Sequence, residues 1–103
     1  MQLNLDPKLF EDHQVIFIRA LIENIKIKLQ EIGLEGSQLE DATANVAFSI
    51  ASTIDGTTMI EADGAEVHPY LTFQTADDVI THSGENAYTH EFVYGVLKSL
   101  FDR

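Results

Sequence analysis

A chain of 103 residues with 17 Asp and Glu against six Lys and Arg carries a formal net charge of −11. Nucleic acid and anionic membrane surfaces are therefore poor partners, because phosphate recognition needs clustered cations. The absence of cysteine removes disulfides, thiolate catalysis, iron–sulfur clusters and cysteine-ligated zinc, while an apolar fraction of 45% is enough for a folded core.

The length fits one domain over residues 1–103. The opening Met1-Gln2-Leu3-Asn4-Leu5-Asp6 lacks the basic stretch and apolar run of a secretory signal. No segment approaches the ~18 continuous apolar residues of a membrane span. A cytoplasmic location without a membrane partner is the expectation.

Asp6-Pro7 predicts a helix start, with Asp6 as N-cap and proline at the first helical position, where a missing N–H costs nothing. Helical periodicity runs from Lys8 to Ile32 and stops at Gly33, a good left-handed cap residue. At 100° per residue, Val15, Ile18, Leu21, Ile22, Ile25, Leu29 and Ile32 form one apolar stripe. Leu9, Ile16, Ala20 and Ile27 form a second on the opposite side, with Phe10 and Phe17 along one flank. The polar strip is narrow: Lys8, Asp12, Arg19, Glu23, Lys26 and Gln30. The first stripe suits a core. The second is covered either by the chain's own sheet and helices or by a partner chain. A two-fold homodimer through Leu9, Ile16, Ala20 and Ile27 is the expectation, since closed two-fold pairs are the commonest soluble assemblies.

Ser37-Gln38-Leu39-Glu40 has the spacing of a capping box and predicts a second helix to about Ile54, ended by Asp55-Gly56. The uncharged run Ala42–Ile54 is rich in small residues, which suits a central helix packed on more than one side. A strand through Val46, Phe48 and Ile50 is the competing assignment; cap and length favour the helix.

Thr57–Ala62 and Ala65–Thr75 predict strands joined by Asp63-Gly64, a pair that supplies the positive φ values of a tight hairpin turn. That register sets Ile60 against Val67, continued on one face by Leu71 and Phe73, and sets Glu61 against Glu66. Pro69 cannot donate to a ladder, so the first pairing should end near His68. Tyr70–Gln74 would then pair with a short strand, Asp78–His82, across Thr75-Ala76-Asp77. A third helix is predicted over Asn86–Phe101, burying Phe92, Val93, Val96, Leu97, Leu100 and Phe101, with Glu91, Lys98 and Asp102 opposite. The fold class is α+β: two N-terminal helices, a small antiparallel meander of two or three strands and one C-terminal helix, ααβββα.

No motif specifies a reaction. His90-Glu91 meets Tyr94 where a zincin needs its second histidine. A metal site from His68, His82 and His90 plus a carboxylate is conceivable, yet nothing in the spacing demands it, and no metal or cofactor is expected. Asp55–Glu61 and Asp77–Glu85 only loosely resemble calcium loops, and Glu40-Asp41 reads as solvated or capping acid. Phosphate-binding glycine loops and a Gly-x-Ser-x-Gly elbow are missing. Ser49, Ser52 and Thr53 should bond to carbonyls one turn back. Asn45, the amide of the apolar helix, is either a hydrogen-bonded structural residue or a ligand contact. The weak ligand-binding candidates are Asn45, His68, Tyr70, His82 and His90. Tyr88 with Glu85 and Glu91 suits an acidic–aromatic contact surface.

Between Lys28 and Lys98 the chain has twelve carboxylates and no Lys or Arg. Such a field speeds encounter with a basic surface. The function expected is a non-catalytic interaction module, homodimeric, that binds or occludes a basic protein. Mimicry of nucleic-acid charge is a narrower version. The alternative is a small-molecule or metal-binding protein, or an enzyme, with a site between sheet and helices.

Overall fold

The computed structural model describes residues 1–101; Asp102, assigned above to the outer side of the third helix, lies outside them. The fold is α+β, in the order β1 (Gln2–Leu5), α1 (Pro7–Glu31), α2 (Gly36–Ile54), β2 (Glu61–Ala62), β3 (Ala65–Glu66), β4 (Phe73–Ala76), β5 (Val79–His82), a 3-10 turn (Thr89–Phe92) and α3 (Val93–Leu100).

Helix α1 begins as its sequence dictates. The Asp6 carboxylate accepts from the Leu9 N–H at 3.1 Å, and Pro7 occupies the first turn. At its far end Gly33 takes φ +102°. Gly33 N–H donates to Gln30 O and Leu34 N–H to Leu29 O, the paired bonds that satisfy the last carbonyls of a helix.

The buried row of α1 is Phe10, Gln14, Ile18 and Ile22, rotated toward the Phe10/Phe17 flank relative to the predicted stripe. The cause is Phe73 of β4, whose ring packs 5.1 Å from that of Phe10 and 5.7 Å from that of Phe17. Val15 is thereby turned into solvent, as is Ile32 beyond the last turn. Leu21 and Ile25 keep partial burial against the core.

Helix α2 starts one residue before Ser37. Glu35 is the cap, makes no side-chain cap bond, and is followed by Gly36 at φ +62°. The left-handed turn at Gly36 puts Ser37 already inside the helix, so Ser37 is not its cap. Leu39, Thr43, Ala47 and Ala51 are buried. The small size of Ala47 and Ala51 lets Ile18 and Ile22 of α1 and Val93, Val96 and Leu97 of α3 close on one core. The other side of α2, with Asn45, Val46, Ser49 and Thr53, is open, so this helix is not packed all round. Thr53 Oγ1 donates to Ser49 O at 2.9 Å, the predicted back-bond.

The sheet has a strand that periodicity did not reveal. β5 pairs antiparallel with β4, as expected, and parallel with β1, giving the order β1-β5-β4 and a mixed sheet. Asn4 Nδ2 donates to Thr81 Oγ1 at 3.1 Å, and the Thr75 and Thr81 hydroxyls lie 2.8 Å apart. The β4–β5 turn falls on Asp77-Asp78, with Asp78 at φ +60°, one residue later than predicted; a register shift between Gln74 and Ala76 absorbs the difference.

The Asp63-Gly64 hairpin forms with Glu61 opposite Glu66, and Val67 N–H donates to Ile60 O at 2.8 Å. It is a separate two-stranded ribbon. Pro69 interrupts the long strand expected over Ala65–Thr75, and Val67 is exposed rather than core.

The third helix starts later than Asn86. Its first turn is the 3-10 segment at Thr89, and α3 buries Val93, Val96 and Leu97, with Phe92, Leu100 and Phe101 packed against them.

Candidate functional site

Asp55 ends α2, and Gly56 at φ +75° turns the chain away from the helix. The carboxylate does not face solvent: Asp55 is 2% exposed. Its Oδ1 accepts from Thr89 N–H at 2.9 Å and lies 2.7 Å from Thr89 Oγ1. Its Oδ2 accepts from His90 N–H at 2.9 Å and lies 2.5 Å from His90 Nδ1. The first N–H groups of any helix lack intrahelical acceptors, and Tyr88, at the cap position, makes no side-chain cap bond. Asp55 supplies the missing acceptors from another element. It locks the end of α2 to the start of the segment that becomes α3. Gln14, buried on α1, completes this junction by accepting from Tyr88 N–H at 3.0 Å. Among the described residues no buried side-chain nitrogen or oxygen lacks a partner.

An imidazole donating Nδ1–H to a buried carboxylate presents Nε2 outward, an arrangement that can take up a proton or ligate a metal. His90 retains 34% side-chain exposure. None of four surface clefts is lined by His90, and the Thr89 hydroxyl is itself bound to Asp55. Among the described residues no group of three or more His, Asp or Glu could hold a metal ion. The geometry is that of a structural lock.

Of the five ligand candidates, hydrogen bonding joins only two: Tyr70 Oη and His82 Nδ1 lie 3.0 Å apart. His68 Nε2 lies 3.2 Å from Glu66 Oε2 on the hairpin. Asn45 is on the open side of α2, and His90 is turned onto Asp55.

The surface of α1 is more telling. On one side its charged strip reaches α3: Lys26 Nζ donates to Leu100 O at 3.1 Å and sits 4.6 Å from the Phe101 ring centre, and Arg19 Nη2 lies 3.3 Å from Ser99 Oγ. On another, Phe10, His13 and Phe17 pack on Phe73. A third side lies on the core with α2. The remaining side is the second apolar stripe. Ile16 is 67% and Ile27 49% exposed, Ala20 is exposed and Leu9 half-buried.

Charge on this helix is locally balanced. Lys8 Nζ lies 2.7 Å from Asp12 and Arg19 Nε 3.2 Å from Glu23; the hydrogen bond and charge of Asp12 raise the Lys8 pKa above its ordinary 10.5. Elsewhere, Ala44, Tyr94, Leu97 and Phe101 line a groove of about 500 Å³ between α2 and α3, with Glu40, Asp41 and Lys98 also at its walls.

No family model, curated protein or solved structure matches this chain. No helix among the described residues is long and apolar enough to cross a membrane.

Proposed function

We propose that the chain is an acidic, cytoplasmic, non-catalytic interaction module. It works as a homodimer paired through the outer stripe of α1 and offers its carboxylates to a basic protein surface. The observation that supports this most is the exposure of Ile16, Ala20 and Ile27 as an apolar row on a helix that packs elsewhere against the sheet, α2 and α3. Fully burying an isoleucine is worth about 1.5–3 kcal/mol. Two such residues from each copy offset a useful part of the ~4–15 kcal/mol cost of association. A ligand or metal site between sheet and helices has less support, because His90 is committed to Asp55 and the other candidates do not join it.

Sedimentation velocity tests the proposal. The expected result is a dimer at micromolar concentration. Ile16→Glu and Ile27→Glu should each give a monomer with unchanged far-ultraviolet circular dichroism, since neither residue is core. A wild-type chain that stays monomeric at high micromolar concentration overturns it.

A further inference from the structure

Resting on the self-association proposed above, we infer that the two α1 helices pair antiparallel about a two-fold axis level with Ile18. Leu9 of one copy then packs on Ile27 of the second, and Ile16 on Ala20.

The stripe is a palindrome. Its residues are 9, 16, 20 and 27, with spacings of seven, four and seven, so each has a counterpart equally far from position 18. A two-fold interface requires such self-complementarity: if one residue contacts a second, the second must contact the first. Ile16, the most exposed of the stripe's large side chains, meets the small Ala20 on either side of the axis. Large against small is how helices approach closely without a void.

Charge supports the same direction. His13 and Glu23 flank the stripe on opposite sides and are each five residues from position 18. Antiparallel pairing brings His13 into one layer with Glu23 of the second copy, twice. Parallel pairing instead sets Glu23 against Glu23, and Ala20 on Ala20 with space left over. Like charges opposed at a helix interface are unfavourable, and register is chosen by avoiding them. Helix α1 is also a place where a second copy meets little repulsion. It holds four Lys and Arg and four Asp and Glu, so the whole net charge of −11 falls outside it.

The natural chain has no cysteine, which makes disulfide trapping clean. Leu9→Cys and Ile27→Cys variants are oxidised mildly, separately and mixed. At 1.5 Å per residue, the two copies of position 9 in the antiparallel pair lie about 27 Å apart along the axis, far beyond the ~4 Å between bonded Cβ atoms. The mixture should therefore give the 9–27 disulfide, identified by peptide mass, in roughly tenfold excess over either homodimeric disulfide. His13→Cys with Glu23→Cys, neither of which fills the core, repeats the test if Leu9→Cys does not fold.

Efficient 9–9 and 27–27 disulfides overturn the antiparallel direction while leaving the dimer standing. A dimer by sedimentation with no trapping in either set overturns this face as the interface. A monomer in the untreated wild-type sample overturns the proposed function itself.

Discussion

Replacing Asp55 with asparagine keeps the shape of the side chain and reverses half of its hydrogen bonding. The amide oxygen can still accept from Thr89, whose hydroxyl also has Ala51 O at 3.2 Å. The amide nitrogen, however, must stand where Oδ2 accepts from His90 N–H at 2.9 Å. The ring of His90 can change tautomer and accept from the new amide; its backbone N–H cannot. One donor is thus left facing another at a position that is 2% exposed. Charge-assisted bonds contribute about 1.5–3 kcal/mol each, and a buried unsatisfied donor costs about 1–3 kcal/mol. With the Thr89 contacts retained, the net loss should be about 2–4 kcal/mol, a large part of the ~5–15 kcal/mol that holds a domain of this size together. Urea unfolding followed by far-ultraviolet circular dichroism, at one fixed protein concentration, measures it. The midpoint should fall by about 1–2 M with the slope unchanged. His90→Ala should cost less, about 1 kcal/mol, because the backbone N–H that Asp55 holds remains. An Asp55→Asn loss within about 0.5 kcal/mol, the range of an exposed control such as Asp41→Asn, refutes the lock. A larger loss for His90→Ala than for Asp55→Asn relocates it from the backbone to the ring.

Gly84 sits at φ +88°, and a Cβ built there meets Leu5 Cδ1 at 3.0 Å. Gly84→Ala should therefore cost about 1–2 kcal/mol from backbone and contact together and lower Tm in a thermal melt. Adding Leu5→Ala should relieve the contact and leave the backbone part. Raising NaCl from about 20 mM to about 0.5 M screens repulsion between acidic chains, so the dimer dissociation constant from analytical ultracentrifugation should fall; a rise means that ion pairs rather than apolar contact hold the dimer. Lys8, with its folded pKa raised by Asp12, stabilises α1 fully below the ordinary lysine value. It loses that contribution as pH climbs past the folded value. An NMR titration of Lys8 should show a midpoint above 10.5 that returns toward 10.5 in Asp12→Asn.

The elements legible from sequence are those whose cause is local. Asp6-Pro7 and Gly33 mark α1 because a cap needs a carboxylate three residues before the amide it accepts from and a glycine free to turn left-handed. Asp63-Gly64 fixes Glu61 opposite Glu66 because a two-residue turn leaves no other register. The elements missed depend on distant parts of the chain. Gln2–Leu5 is four residues long, too short for periodicity to speak, and is a strand because β5 offers it an edge some 77 positions away. The predicted core stripe of α1 was rotated because one aromatic from β4 chose its flank. The Asp55 lock had a signal in the sequence: Asp55 is the lone charge between Asp41 and Glu61. Read as a helix stop, it gave no hint that its carboxylate would cap a segment 34 residues later. A solitary acid closing an uncharged helix, in a chain whose last helix lacks a cap residue of its own, is the pattern to look for.

The separation of charge from apolar surface carries the functional argument. Were the acids spread evenly, any face brought against a second copy would place carboxylate against carboxylate. Here α1 is balanced and partly self-paired, while the remainder, from Leu34 to Leu97, has no Lys or Arg. Pairing through α1 therefore uses a region where association meets little electrostatic resistance and leaves the acidic remainder outward on both copies. The two proposed contacts then respond to salt in opposite senses. Screening strengthens the apolar pairing of like-charged chains and weakens capture of a basic partner, because the first is opposed by the field that drives the second.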